Sequence, residues 1–430
     1  MFSRLIRHRL VKDTAIMMGV QVSGYVLPLL TLPYLTRVLG PANLGLTVLG
    51  TALVLYFAVV VEYGFAVTGT RRIAIVREDP DQVARVYSSI MACKILLLVL
   101  CLAILWILLA AIPRLREHAS LYLLSYLQVL GWGLSPNWLL QGMQRMKLIA
   151  ASDYGGKVIC VALIFVLVRT KSDYLMATAL QSGGFLLSAI IGLVLSFSVV
   201  GMRLRWPDLG EMKTAMSEGL PVFLSMASMN VMTSSNIVIL RAMTTDEQVG
   251  LFAVASRLII AARALTNPIA TAVYPHMSKL AAQSPSKALQ FLRRQLLWTA
   301  APFLGITLGM LFFGPLAVRI LSGPAYQESG VLLQIMSMTP FIHAVSMCFG
   351  TYYMLAFGYE KAWSKIIIGM MLLNFLVLGA TLLVLRPARA VALTTSLMDL
   401  YAAGSCILFY LRTSGKLEAV PPVGPMEPLA

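Results

Sequence analysis

The chain alternates apolar runs of about 20 residues with short hydrophilic gaps, from near its start to about residue 411. Hydrocarbon offers no water to an unpaired backbone N–H or C=O. A segment inside it therefore satisfies its own hydrogen bonds as a helix, or joins a closed barrel. Runs of this length match a helix crossing a 30 Å core, whereas barrel strands are about half as long and alternate in polarity. Twelve segments qualify: 14–38, 44–67, 87–112, 119–140, 147–168, 174–200, 219–241, 248–274, 295–317, 328–352, 362–385 and 389–411. The fifth is unusually polar, with Asp153, Gly155, Gly156 and Lys157. The tenth contains Gln334 and His343.

Composition agrees with an integral membrane protein. Hydrophobic residues make up 59% of the chain and charged residues 12%, against about 25% charged in soluble domains. The net charge of +16 lies in the gaps between apolar runs, so it reads as membrane orientation and not as nucleic-acid binding. With the N-terminus inside, 21 Lys and Arg fall in inner gaps and 9 in outer gaps. The positive-inside rule then places both termini in the cytoplasm. Arg4, Arg7, Arg9 and Lys12 precede a run with no small-residue cleavage site, which reads as a retained first helix. The proline-rich stretch 419–430 reads as a disordered tail.

A weak internal repeat divides the chain. LPYLTRVLGPANLGL carries Arg37 and then Gly45-Leu46, and IVILRAMTTDEQVGL carries Arg241 and then Gly250-Leu251. The Arg-to-Gly spacings differ by one residue. The expected organisation is two six-helix lobes, residues 1–212 and 213–418, with a substrate path between them. Aligned on the glycines, Arg257 falls opposite Ala52. The charge is an addition to the second half.

The charges inside the spans are the candidate functional residues. Arg257 and Arg263 lie in one apolar segment that contains no acid between 248 and 274. A guanidinium stays ionised, and at mid-bilayer it costs about 2.5–3.5 kcal/mol on insertion scales. Two of them point to a wet, cationic interior and an anionic cargo. Six residues apart, their directions differ by about 120° and their heights by about 9 Å. They cannot share one narrow site, yet both can line a wide cavity. The competing reading pairs them with Glu62, Asp153 or Asp399. Lys157, Arg37 and Arg241 complete the cationic candidates. Asp153 and Lys157 are spaced for a self-neutralising pair. Glu62, Asp153, Asp399 and His343 are the candidates for gating or for coupling to a proton or sodium gradient. Pro268 follows the two arginines and marks a bend in the eighth segment.

No phosphate-binding GxxxxGK[ST] loop, HExxH pair or Cys/His cluster is present in the sequence. Nothing marks the chain as an enzyme or calls for a cofactor or metal. Cys93, Cys101, Cys160, Cys348 and Cys406 all lie in apolar runs and read as small hydrophobes.

LPYLTRVLGPANLGL, VEYGFAVTGTRRIA, PNWLLQGMQRMK and AVYPHMSKLA, in this order and spacing, resemble the Wzx-type polysaccharide flippases of the multidrug/oligosaccharidyl-lipid/polysaccharide (MOP) exporter superfamily. The resemblance spans roughly residues 10–412, and Glu62 stands where that family often has an acid before an aromatic-glycine pair. It implies a MATE-like bundle of about twelve helices around a central cationic cavity. The implied cargo is a polyprenyl-pyrophosphate-linked oligosaccharide, moved across a bacterial inner membrane by alternating access. The product would be O-antigen, capsule or exopolysaccharide, with a polymerase and a chain-length regulator as associated partners. A drug exporter of the same superfamily would need an acidic or aromatic pocket. A peptidoglycan-precursor flippase usually has two further helices.

Overall fold

The structure, a computed structural model, describes the backbone of residues 2–198 and 205–418. The tail at 419–430, Arg203 and the side chains of Arg4, Arg7, Arg9 and Lys12 lie outside the described residues. Every element among the described residues is helical. Nine stretches among them are long and apolar enough to cross a membrane.

Twelve apolar segments and nine spans differ for local reasons. The first two segments form one continuous stretch, Val26–Val76. Gly40, at φ 73° and ψ 173°, interrupts its helical backbone just before Pro41. A residue preceding proline avoids the helical region, and this φ/ψ pair is open essentially to glycine alone. The break falls between the apolar segments 14–38 and 44–67. A second break follows Glu62, where Tyr63 (φ 44°) and Gly64 (φ 81°) are left-handed. The fourth segment is cut at Ser135-Pro136 into Ala119–Leu134 and Asn137–Gly142, leaving no helix of spanning length. The seventh lies within the continuous helix Leu209–Met243.

The tenth segment is also segmented. It runs through Gln327–Met336 and Thr339–Met347 into a π-helical turn, Cys348–Leu355. Pro340 stands in the first turn of its second piece, where a missing N–H costs little.

Two compact units are present, Met1–Gly250 and Leu251–Ala430. The repeat puts its boundary at 212–213, whereas the compact units divide at Gly250. The helix Leu209–Met243 packs against Phe2–Glu62, Phe65–Val76 and Pro80–Ala111, which draws it into the first unit. Its seat is specific. Tyr63 stacks on Phe223 with centroids 4.8 Å apart, and Tyr56 shares a 2.8 Å hydrogen bond with Ser235.

Small residues let helices meet backbone to backbone, the usual basis of association in lipid. In the first unit a Cβ at Gly156 would stand 2.2 Å from the Ser188 nitrogen, so Met146–Leu167 lies directly on Tyr174–Ser198. The same unit brings the repeat's two marker glycines together. A Cβ at Gly45 would stand 1.8 Å from the Asp246 carbonyl oxygen, and one at Gly250 would stand 1.9 Å from that of Pro41. The second unit is cored by Met277, Leu289, Tyr352, Tyr353 and Tyr410, with Tyr353 edge-on to Tyr410 at 5.0 Å. All five cysteines are buried and free.

These contacts make Gly250 intolerant of a side chain. Gly250→Val should lower the yield of folded, monodisperse protein severely. Gly305→Ala, where a Cβ meets nothing within 4 Å, should shift stability by no more than about 0.5 kcal/mol. Thermal unfolding in detergent compares the two.

Candidate functional site

The helix that carries both arginines, Asp246–Ala264, ends immediately after Arg263, and a new helix starts at Thr266. Pro268 sits in the first turn of that second helix, where its missing N–H is tolerated. Thr266, fully buried, donates through Oγ1 to the Arg263 carbonyl at 2.6 Å. That bond satisfies a carbonyl left over at the helix end. The bend therefore fixes where Arg263 points.

Arg263 is engaged on two sides. Its Nη1 lies 3.1 Å from Asp399 Oδ2, and its Nη2 lies 3.1 Å from His343 Nδ1. A guanidinium has donors only, so His343 accepts through Nδ1 and carries its proton on Nε2. The three side chains come from three separate helices, Asp246–Ala264, Thr339–Met347 and Pro387–Glu418. They form a tie within the second unit in which the charges of Arg263 and Asp399 cancel.

Arg257 differs. It is half-buried and has no carboxylate partner among the described residues. Its electrostatic neighbour is Tyr326, a fully buried tyrosine whose hydroxyl has no hydrogen-bond partner. The two arginines thus face different neighbours, as their 120° separation requires. Aligned on Gly45 and Gly250, both fall opposite buried alanines of the first half, Ala52 and Ala58.

The other cationic candidates have partners. Lys157 binds both oxygens of Asp153, at 2.7 and 2.8 Å, and lies 5.0 Å from the centre of the Phe185 ring. Gly156 lets Tyr174–Ser198 approach closely enough to bring that ring over the ammonium. Arg241 pairs with Asp246 and donates to the Thr244 carbonyl at 3.1 Å. Arg37 is exposed, one turn before the Gly40 break.

Glu62 meets a residue that its sequence neighbourhood does not point to. Its carboxylate receives Lys94 Nζ at 3.0 Å. Lys94 is 1% exposed and also donates to the Trp132 carbonyl at 3.3 Å. Arg72, near Glu62 in sequence, instead pairs with Glu211. A lysine inside the apolar run 87–112 was the available signal for Lys94. Its partner depends on how Pro80–Ala111 packs, which spacing does not reveal.

A polar pocket of about 500 Å³ lies around the gap between Val76 and Pro80, where the end of one span meets the start of the next. Arg72, Asp79, Asp81, Gln82, Arg85 and Glu211 line it. Asp79 caps the following helix, and the Gln82 backbone N–H holds its carboxyl below the usual range. Three carboxylates against two arginines make this pocket a poor host for an anion. No group of three or more His, Cys, Asp or Glu able to hold a metal occurs among the described residues.

A family profile described as "Polysaccharide biosynthesis protein" matches residues 10–281. The chain belongs to the polysaccharide biosynthesis protein family. A relative from Escherichia coli K12 named "Putative O-antigen transporter" is 30% identical over 401 residues, covering 90% of this chain and 95% of its own. A Shigella dysenteriae protein of the same name is 29% identical over 83% of this chain and 89% of its own. Among solved structures, the lipid II flippase MurJ in an inward closed conformation superposes with a TM-score of 0.70 at 13% identity, covering 95% of this chain and 90% of that one. An inward-facing MATE-family multidrug transporter of the MOP superfamily gives 0.69 at 14% identity, covering 92% and 99%. At such identities the likeness is one of fold. This family member therefore shares the all-helical fold of these solved transporters.

The Arg263–Asp399 tie of this family member can be tested apart from Arg257. Removing one partner of a buried ion pair costs about 3–5 kcal/mol, because the other charge is stranded. Arg263→Met and Asp399→Leu should each destabilise strongly. The double variant should recover most of the loss, read as the interaction energy of a double-mutant cycle in thermal unfolding.

Proposed function

We propose that the chain is a flippase for polyprenyl-pyrophosphate-linked oligosaccharide units in surface polysaccharide biosynthesis. The observation that carries this reading is the nearly full-length similarity to the relatives named as O-antigen transporters. Arg257 supports it from the chain's own chemistry. A guanidinium in an apolar span, without a carboxylate partner among the described residues, is matched to a phosphate ligand, which it can grip in bidentate fashion. A cationic drug would instead be repelled there.

In this reading the protein acts as a transporter and not as an enzyme. It resides in a bacterial inner membrane with both termini in the cytoplasm, as the distribution of Lys and Arg favours. The two repeated halves form the two lobes around a central cavity, and the cargo crosses between them by alternating access. Arg257 contacts the pyrophosphate. Arg263, tied to Asp399 and His343, holds the helix end in place, and Lys157, paired with Asp153, stiffens the fifth apolar segment. The Glu62–Lys94 pair, beside the left-handed Tyr63-Gly64 turn, is the candidate gate at which a proton or sodium gradient acts. A polymerase and a chain-length regulator are the expected partners downstream.

The experiment is reconstitution in proteoliposomes with a fluorescent polyprenyl-pyrophosphate disaccharide, reading protected-to-accessible conversion. At matched protein levels, Arg257→Ala should slow translocation at least tenfold and Arg257→Lys by less. Unimpaired transport in Arg257→Ala would sink the cargo contact. An imposed pH or sodium gradient should change the rate if coupling operates, and no response to either gradient removes it from the mechanism.

A further inference from the structure

The Tyr326 hydroxyl is a donor without an acceptor among the described residues. It is fully buried, and buried tyrosine hydroxyls ordinarily find a partner. Unpaired buried polar atoms are uncommon enough to need an explanation, and an absent ligand is one of the standard ones. The neighbour of this hydroxyl sharpens the case. Arg257 also lacks a carboxylate partner, and a guanidinium offers donors and no acceptor. Two donor groups that are electrostatic neighbours, neither with a hydrogen-bond acceptor among the described residues, suit an oxygen-rich anion.

The local structure shows that this juxtaposition is built. Tyr326 ends the short 3-10 turn Pro324–Tyr326, set up by Gly323 at φ 91°. Three residues later, Ser329 Oγ donates to the Leu251 carbonyl at 2.7 Å, with Ser329 fully buried. That bond links the start of Gln327–Met336 to the arginine-bearing helix. Leu251 is six residues before Arg257, so the register between the two helices is held close to the tyrosine.

We propose that Tyr326 is the second donor of an Arg257-centred phosphate subsite, fixing the orientation of the pyrophosphate that the guanidinium attracts. This rests on the anionic-cargo reading above and extends it to a named residue. In the present conformation the hydroxyl is sealed. It engages the anion once the Gly323–Tyr326 turn or the long Arg257 side chain shifts, a movement of the kind that substrate-driven closure supplies. A hydrogen bond to a charged group is worth enough that its loss weakens binding by roughly tenfold.

A purely structural tyrosine and a ligand-binding one respond oppositely to Tyr326→Phe. The substitution keeps the ring and deletes an oxygen that bonds to nothing. If the residue only packs, stability holds or rises and ligand binding stays the same. If it binds phosphate, stability holds while affinity falls. The test measures binding of farnesyl pyrophosphate to the full chain in nanodiscs, alongside thermal unfolding without ligand. The variants are Tyr326→Phe, Arg257→Met and Ser322→Ala. Ser322→Ala removes another buried, unpartnered hydroxyl, four residues before Tyr326, as a control. The expected result is about tenfold weaker binding in Tyr326→Phe at an unchanged or higher Tm, weaker binding still in Arg257→Met, and no change in Ser322→Ala. Unchanged affinity in Tyr326→Phe with a loss in Arg257→Met overturns the role of Tyr326 and leaves the cargo reading intact. An equal loss in Ser322→Ala also overturns it. No binding by the parent chain, or equal binding by all variants, overturns both.

Discussion

A charge carried into hydrocarbon has to be neutralised, bonded or put to use, because the medium offers no water to screen it. Most of the architecture inside the spans of this chain answers that demand. Asp153 sits one turn before Lys157 and holds it at 2.7 Å. Glu62 reaches across to Lys94, and Asp399 reaches across to Arg263. Each pair joins two charges whose separate burial would oppose folding. Two of the pairs also join helices distant in sequence, so the same contacts that cancel charge hold the bundle's register. Arg257, deep in its span, has no carboxylate partner among the described residues.

Helix packing follows a second consequence of the same medium. Apolar side chains gain nothing by leaving lipid for protein, so close backbone approach has to hold helices together. Gly156 against Ser188, and Gly45 and Gly250 against each other's segments, are the sites where that approach is tightest. The Gly45–Gly250 contact gives the sequence repeat a physical meaning. The corresponding turns of the two halves meet at these glycines, and the helix leading away from Gly250 carries the arginines.

Much of the fold was legible from apolar periodicity. The break between the first two apolar segments was readable as the gap between 38 and 44, and the bend after the arginines as Pro268. The break at Ser135-Pro136 was less visible, because Pro136 lies close to the end of an apolar run. At the site, the Asp153–Lys157 pair was readable because an i, i+4 spacing places both groups on one helical face. Lys94 with Glu62, and Arg263 with Asp399 and His343, were not readable as pairs. Their members stand 32, 136 and 80 residues apart. Tyr326 gave no signal at all, since a tyrosine near a proline turn is unremarkable until its hydroxyl is found buried without a partner.

By itself the sequence determined that the chain is a multi-pass helical membrane protein, that its eighth apolar segment carries two arginines, and that this charge is energetically unusual. Those conclusions depend on local length, composition and spacing, which the bilayer reads one segment at a time. Only the tertiary structure decided that Arg263 is neutralised while Arg257 has no carboxylate partner among the described residues. Neutralisation depends on distances of about 3 Å between groups on different helices, and those distances exist only once the helices have packed.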